Sequence, residues 1–462
     1  MMKRILSSLA LTGCVMSMPI MAESLESWGQ RVIAIQNSLD NDAPLNQSTW
    51  PGTHNSNSNN DDDDIHNLVL NQSRGLKEQL NEGIRSLVLD VHYTWSEVRV
   101  CHNNVNMWGA CIENFTGSRK FKNALSDIVE WIDDNPDQVV LLKLELMNSA
   151  EDNINKVMKK VNDQDDYYFM PASLNDSSFP DLNSDGCKDL PSNLTKSKVL
   201  ASGKNIILYT DKCYNNGKTS TRVFSIGDIE NAKDEVDIKS IDKSLVIRVK
   251  DGATKSGDSD PSMLPSNIGE FLDEGINIIE TYGYGATGSD WKKSGEYPLA
   301  AEDLVWSWDE YEPISSVANG TPAVLSSQTD RLQTEEASQL LRPACRQLVD
   351  SEFNRIDASW MIGPDMVSFD NAEEACLLAS NNEYYFATPR NKVELNALIS
   401  YRDSYNASDD AIWLNYQKVS GYWQADIGEA DDALVDICTS GYANVCSQID
   451  AFLNLTNSSS NF

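Results

Sequence analysis

Short apolar runs alternate with amphipathic stretches up to about residue 300, and this alternation is what most limits the fold. "GIRSLVLDVHY", "VVLLKLEL", "KNIILYTD" and "SLVIRVK" each read as a buried strand. "RKFKNALSDIVEWIDDNPDQ" places apolar residues at helical spacing and ends in a turn, and "EFLDEGINIIETY" reads as helix then strand. Strands alternating with helices over this length predict an α/β architecture with a parallel sheet. A closed (β/α) barrel of the TIM type is the simplest large version.

After residue 300 the alternation fades, and aromatic and small polar residues increase, as in "VWSWDEYEP" and "AIWLNYQKVSGYWQ". The reading that follows divides the chain into a leader (1–22), a barrel (28–300), a linker or partial unit (301–344) and a smaller α+β domain (345–455). With 40% hydrophobic residues the chain has enough apolar material for folded domains rather than disorder. A formal net charge of -33 excludes a general duplex binder, which needs a basic surface to displace counterions, and argues against electrostatic adhesion to anionic membranes.

The start, "MMKRILSSLALTGCVMSMPIMAES", has Lys3 and Arg4, an apolar run and then small residues. This is the pattern of a bacterial secretory signal, with cleavage after Ala22. "LTGC" also offers a lipoprotein-type site at Cys14, so a secreted or periplasmic protein and a lipid-anchored one both stay open. Nine cysteines occur. Loss of Cys14 leaves an even set, which in an exported chain reads as disulfides. Close spacing pairs Cys101 with Cys111 and Cys187 with Cys213, and leaves Cys345, Cys376, Cys438 and Cys446 to pair among themselves. "NNDDDD" lacks the glycine turn and terminal Glu of an EF-hand loop and reads as a solvated acidic loop.

Polar residues recur where strands end. His54 and Asn55 follow "TWPGT", Asp90 and His92 end the second strand, His102 follows "VRVC", and Glu145 ends "VVLLKLEL". In a parallel barrel the C-terminal strand ends share one mouth, where active sites lie. Two imidazoles, an amide and two carboxylates there suit phosphodiester chemistry: one His takes a proton from the attacking hydroxyl and another protonates the leaving oxygen. A hard cation held by oxygen ligands offsets phosphate charge. The competing use of Asp90 and Glu145 is simple ion pairing with Arg85 or Lys143.

"PGTHNS", "NQSRGLKEQLNEGIRSLVLDVHY", "VCH" and "NPDQVVLLKLEL", in this order, resemble the X region of calcium-dependent phosphatidylinositol-specific phospholipase C, including its secreted microbial members. The resemblance is strong over residues 45–150 and continues weakly to about 300. It implies that His54 and His102 are catalytic, that Asn55, Asp90 and Glu145 hold Ca2+, and that the substrate is a phospholipid at a membrane surface. It also implies a cyclic phosphate product formed by internal attack of the inositol 2-hydroxyl. Lys204, in "SGKNIILYTD", and Lys143 are the substrate-binding candidates, with His92 and Arg85 in support. The sequence departs from the pattern at Val88, where a further acidic ligand is expected, so a metal should bind more weakly. Asn103 also replaces the glycine usual after the second histidine.

"WMIGPDMVSFDNAEEACLLASNNEYYFATPRNKVELNALISYRDS" with "AIWLNY" is similar to a C-type lectin-like domain. The Glu-Pro-Asn and Trp-Asn-Asp signatures of sugar binding are absent from their places, so the resemblance implies a binding or stabilising appendage. A glycan is its candidate ligand, and Trp413 and Trp423 are its candidate platform. The competing functions are a phosphodiesterase acting on glycerophosphodiesters or sphingolipids, and a catalytically inactive glycan-binding adhesin.

Overall fold

The computed structural model describes residues 23–59, 61–62, 71–94, 97–101, 119–146, 151–163, 165–174, 179–182, 184–210, 213, 222–251, 263–285, 298–347, 359–405 and 410–425. The leader, His66, His102, Cys14, Cys111, Cys438 and Cys446 lie outside these residues.

The first part runs, in chain order, α1 (Leu25–Gln36), β1 (Gly52–Thr53), α2 (Leu76–Asn81), β2 (Ser86–Thr94), β3 (Glu97–Val100), β4 (Arg119–Lys120), α3 (Phe121–Asp134), β5 (Val140–Leu146), α4 (Glu151–Asn162), β6 (Tyr168–Phe169), α5 (Pro171–Leu174), β7 (Lys188–Asp189), α6 (Lys196–Ala201), β8 (Ile206–Thr210), β9 (Phe224–Ser225), β10 (Ile229–Ala232), α7 (Glu235–Ser240), β11 (Val246–Lys250), α8 (Ile268–Asp273) and β12 (Ile278–Glu280). Parallel ladders join β1 to β2, β2 to β5, β5 to β8 and β8 to β9, and another set joins β10, β11 and β12. Single bridges, Trp50 to Ile278 and Thr53 to Thr281, connect β12 back to β1. Strands therefore follow one another from β10 round to β9, and no ladder joins β9 to β10 among the described residues.

Two expectations change here. The sheet is mixed, because β3 runs antiparallel to β2 and β4 antiparallel to β3. The ladders among the described residues also leave the barrel unclosed: Ile226, Gly227 and Asp228 carry the chain from β9 to β10, and β9 and β10 do not pair with each other.

Alternation along each strand separates two chemistries. Leu87, Leu89 and Val91 of β2, and Leu142 and Leu144 of β5, join the apolar core. Val88 and Asp90 lie on the other face, in register with Lys143 and Glu145. The helices cover the apolar face. α3 buries Phe121, Leu125, Ile128 and Ile132 at helical spacing. The acidic loop has a structural use: Asp62 Oδ2 accepts from Leu76 N and Asp61 Oδ2 from Gly75 N, capping α2.

The second part continues with β13 (Pro322–Leu325), β14 (Leu332–Thr334), β15 (Arg342–Gln347), β16 (Trp360–Ile362), α9 (Ala372–Ser380), β17 (Tyr384–Phe386), α10 (Lys392–Ser404), β18 (Ile412–Val419) and β19 (Tyr422–Ala425). The sheet order is β14-β13-β18-β15-β16, with β17 on β15 and β19 on β18. Residues 322–334, within the segment read as a linker or partial unit, thus belong to this sheet.

The candidate platform residues are core. Trp413 is fully buried and donates Nε1–H to the Val367 carbonyl, while Trp423 packs on Trp308 and Tyr416. Cys187–Cys213 and Cys345–Cys376 form disulfides, and Cys101 is disulfide-bonded as well. No helix among the described residues is long and apolar enough to cross a membrane.

The α+β part sits against the segments that lead into the strands. Asn391 Nδ2 donates to the Gln47 carbonyl, Asn396 Nδ2 to Asp273 at the end of α8, and Tyr416 Oη to the Ile35 carbonyl of α1. It therefore supports the N-terminal side of the strands.

Candidate active site

The chain from Gly52 to Asn59 is threaded between β2 and β12. His54 N donates to the Thr281 carbonyl, and Ser56 N to the Val88 carbonyl. Ser56 Oγ in turn accepts from Val88 N. Gln72 Nε2 donates to the carbonyls of both His54 and Thr281, and Gln79 ties down Thr53 Oγ1 and the Ser56 carbonyl. Asn55 has φ 47°, a left-handed conformation that Asn tolerates better than most residues. These bonds hold a polar loop rigidly inside the molecule.

His54 is buried, and its Nδ1 lies 3.1 Å from Glu280 Oε2, at the end of β12. Burial would raise the Glu280 carboxyl, but Arg248, Lys143 and His54 together hold it well below the usual range. Glu280 is thus ionised and has no proton to give, so His54 donates Nδ1–H and keeps Nε2 as its reactive nitrogen. Burial also lowers the His54 pKa, against the pull of Glu280, which keeps the ring neutral and able to accept a proton. Tyr282 packs against the ring at 4.9 Å between centroids.

Beside this pair stand Asp90 and Glu145, register partners on β2 and β5. Both Asp90 carboxylate oxygens are buried and receive no donor hydrogen from the described residues. Asn57 instead accepts from the Asp90 backbone N–H. Burial pushes the Asp90 carboxyl well up, and the neighbouring Glu145 carboxyl adds to the shift while Lys143 opposes it. Burial acts on Glu145 in the same sense, but Lys143 and His54 outweigh it and hold this carboxyl low. Lys143 Nζ is 2.7 Å from Glu145 Oε1 and 3.5 Å from Glu280 Oε1. Two adjacent carboxyl groups, one with no donor, form an oxygen-rich position that suits a hard cation.

The structure brings His54, Asp90, Lys143 and Glu145 together at one end of the strands, while Asn55, next to His54 in the chain, donates Nδ2–H to Asn71 Oδ1. His92 lies buried beside the Cys101 backbone, two residues past Asp90. Arg85 is at the opposite end of β2. It binds Gln138 and the Leu80 and Ile84 carbonyls and stacks on Trp131, so it pairs with neither Asp90 nor Glu145. Lys204 is not brought to the site: it precedes β8, and its Nζ donates to the Asp166 carbonyl. His102 follows Cys101, whose N–H donates to the Asp90 carbonyl.

Glu280 and Arg248, 3.2 Å apart, were not among the residues singled out from sequence. The strand-end rule applied to "INIIETY" is the signal that finds Glu280.

Residues 15–239 match the family model described as the Rv2075c PI-PLC-like domain. The match takes in 225 of the 462 residues, just under half of the chain. The chain is 28% identical over 205 residues to the Mycobacterium tuberculosis protein Rv2075c, covering 40% of this chain and 39% of the relative. It is also 30% identical over 112 residues to the PI-PLC X domain-containing protein At5g67130 of Arabidopsis thaliana, covering 23% of this chain and 25% of the relative. The matched regions thus span well under half of these relatives. Among solved structures, the chain is similar to phosphatidylinositol-specific phospholipase C from Listeria monocytogenes (TM-score 0.37, 15% identity, 54% of this chain and 93% of that one). It is similar also to a mutant of the Staphylococcus aureus enzyme (TM-score 0.39, 12% identity, 61% and 98%).

Proposed function

We propose that the protein is an exported phosphodiesterase that cleaves the phosphodiester of an inositol phospholipid. The observation that carries this reading is the buried His54–Glu280 pair, set beside the donor-free Asp90 carboxyl and Glu145. His54 Nε2 takes the proton of the inositol 2-hydroxyl, whose oxygen attacks phosphorus. The bond to the diacylglycerol oxygen breaks, and His102 supplies the proton to that leaving oxygen. The products are a cyclic inositol phosphate and diacylglycerol. Glu280 fixes the ring of His54 and stabilises the charge the ring gains.

Asn55, Asp90 and Glu145 would hold the calcium ion. Such an ion offsets negative charge on the phosphate. The disulfides fit an oxidising compartment, consistent with residues 1–22 acting as an export signal.

The test is release of cyclic inositol phosphate from phosphatidylinositol by the purified protein, with phosphatidylcholine and glycerophosphoinositol alongside. His54→Ala and His102→Ala should each lower turnover by about 10²–10⁴-fold with the fold intact. Retained activity in either variant removes that residue from the acid–base pair. Turnover of glycerophosphoinositol alone moves the assignment to glycerophosphodiesters.

A further inference from the structure

Lys143 stands in register with Val88, and Val88 contributes no charge. The Lys143 side chain is 2% exposed, and its Nζ contacts Glu145 at 2.7 Å and Glu280 at 3.5 Å. An ammonium group therefore already occupies one oxygen of a carboxylate in the candidate metal position. Glu280 has two further partners, His54 and Arg248, so it does not depend on Lys143. Among the described residues, Lys143 makes the one ion-pair contact with Glu145.

From this geometry we infer that Lys143 is an internal cation that competes with a divalent ion for Glu145. The inference rests on the proposed metal position at Asn55, Asp90 and Glu145. Without a metal, the ammonium group holds Glu145 in place and the carboxyl groups do not repel the fold apart. When a divalent ion arrives, it either displaces the ammonium from Glu145 or binds against its charge. Either route costs affinity, because two cations share one carboxylate in a poorly solvated setting. The site thus stays folded without metal and takes metal weakly. An ammonium released from Glu145 becomes available to the substrate phosphate.

The test compares the wild-type protein with Lys143→Met, which keeps the volume, and Lys143→Gln, which keeps a neutral donor. Calcium affinity is measured by titration calorimetry, and melting temperature with calcium and with chelator. Both variants should bind calcium at least about tenfold more tightly than wild type. Chelation should lower the melting temperature of the variants and leave that of wild type unchanged. A variant that folds only when calcium is supplied supports the inference as well.

Calcium affinity in the variants equal to or weaker than that of wild type would overturn it. So would a wild-type melting temperature that falls on chelation as far as theirs, or variants that stay unfolded in excess calcium. Cleavage of phosphatidylinositol by wild type is measured in parallel. Cleavage with no gain in variant affinity defeats the competition and leaves the phosphodiesterase reading standing. Tighter variant binding with no wild-type cleavage does the reverse.

Discussion

At the residue scale the site turns on a contact across 226 positions of sequence, from His54 to Glu280. His54 was legible because it sits in "PGTHNS", one of only four histidines in the chain. Glu280 was not, because one acid at the end of an apolar strand looks the same whether it meets solvent or a buried imidazole. Glu145 was legible as a carboxylate at the end of its strand, whereas β2 runs on past Asp90 to Thr94; Lys143, read first as a substrate-binding residue, instead pairs with Glu145, the use weighed as its alternative. Glu280→Gln keeps the shape and removes the charge that holds Nδ1–H. Turnover should fall about 10²–10³-fold with KM little changed, because the lost interaction strengthens as the ring gains a proton. Steady-state kinetics checks this. Unchanged kcat in a folded variant would show that His54 needs no carboxylate partner. The same substitution weakens the pairing of buried Arg248 and Lys143, so stability should drop as well.

At the element scale, most strands and helices could be read from their periods, but the direction of β3 could not. Only Trp95 and Ser96 separate β2 from β3 in sequence, a hairpin spacing without the Gly, Asn or Asp that normally signals one. The antiparallel return matters for function, since it brings Cys101 N–H to the Asp90 carbonyl and so delivers the residue before His102 to the site. Strand β1 shows the opposite case, in which two residues do much positioning. A Cβ on Gly52 would lie 2.2 Å from the Ile279 carbonyl oxygen and 2.7 Å from Ser86 Cβ, so glycine alone lets β1 enter between β2 and β12. Gly52→Ala should cost about 3 kcal/mol in denaturant unfolding and should reduce turnover by displacing His54. A loss under about 0.5 kcal/mol would mean that the strands yield easily, contrary to a rigidly held loop.

At the scale of the whole molecule, the α+β part is joined to the barrel-like part through a buried charge network. Asn391 and Glu394 stand at the spacing of a capping box, and Asn391 Oδ1 does accept from Glu394 N. The tertiary use is not local. Glu394 binds Arg390 at 2.7 Å and Arg346 of β15 at 3.3 Å, and Arg390 reaches Gln47 ahead of β1. Burial would raise the Glu394 carboxyl, but the two arginines bring it from 4.5 down to about 2. Because the folded value lies below the unfolded one, its stabilisation is complete above about pH 4.5 and is lost as pH falls toward 2. The shift corresponds to about 3 kcal/mol. Wild type and Glu394→Gln should therefore differ in melting temperature at pH 7 and converge as the buffer approaches pH 2.5, which thermal melts across that range would measure. A constant difference throughout would mean that Glu394 acts by shape rather than by charge. The convergence should be accompanied by loosening at Gln47 and Asn391, read by hydrogen exchange, because protonated Glu394 no longer holds Arg390 against the segment that leads into His54.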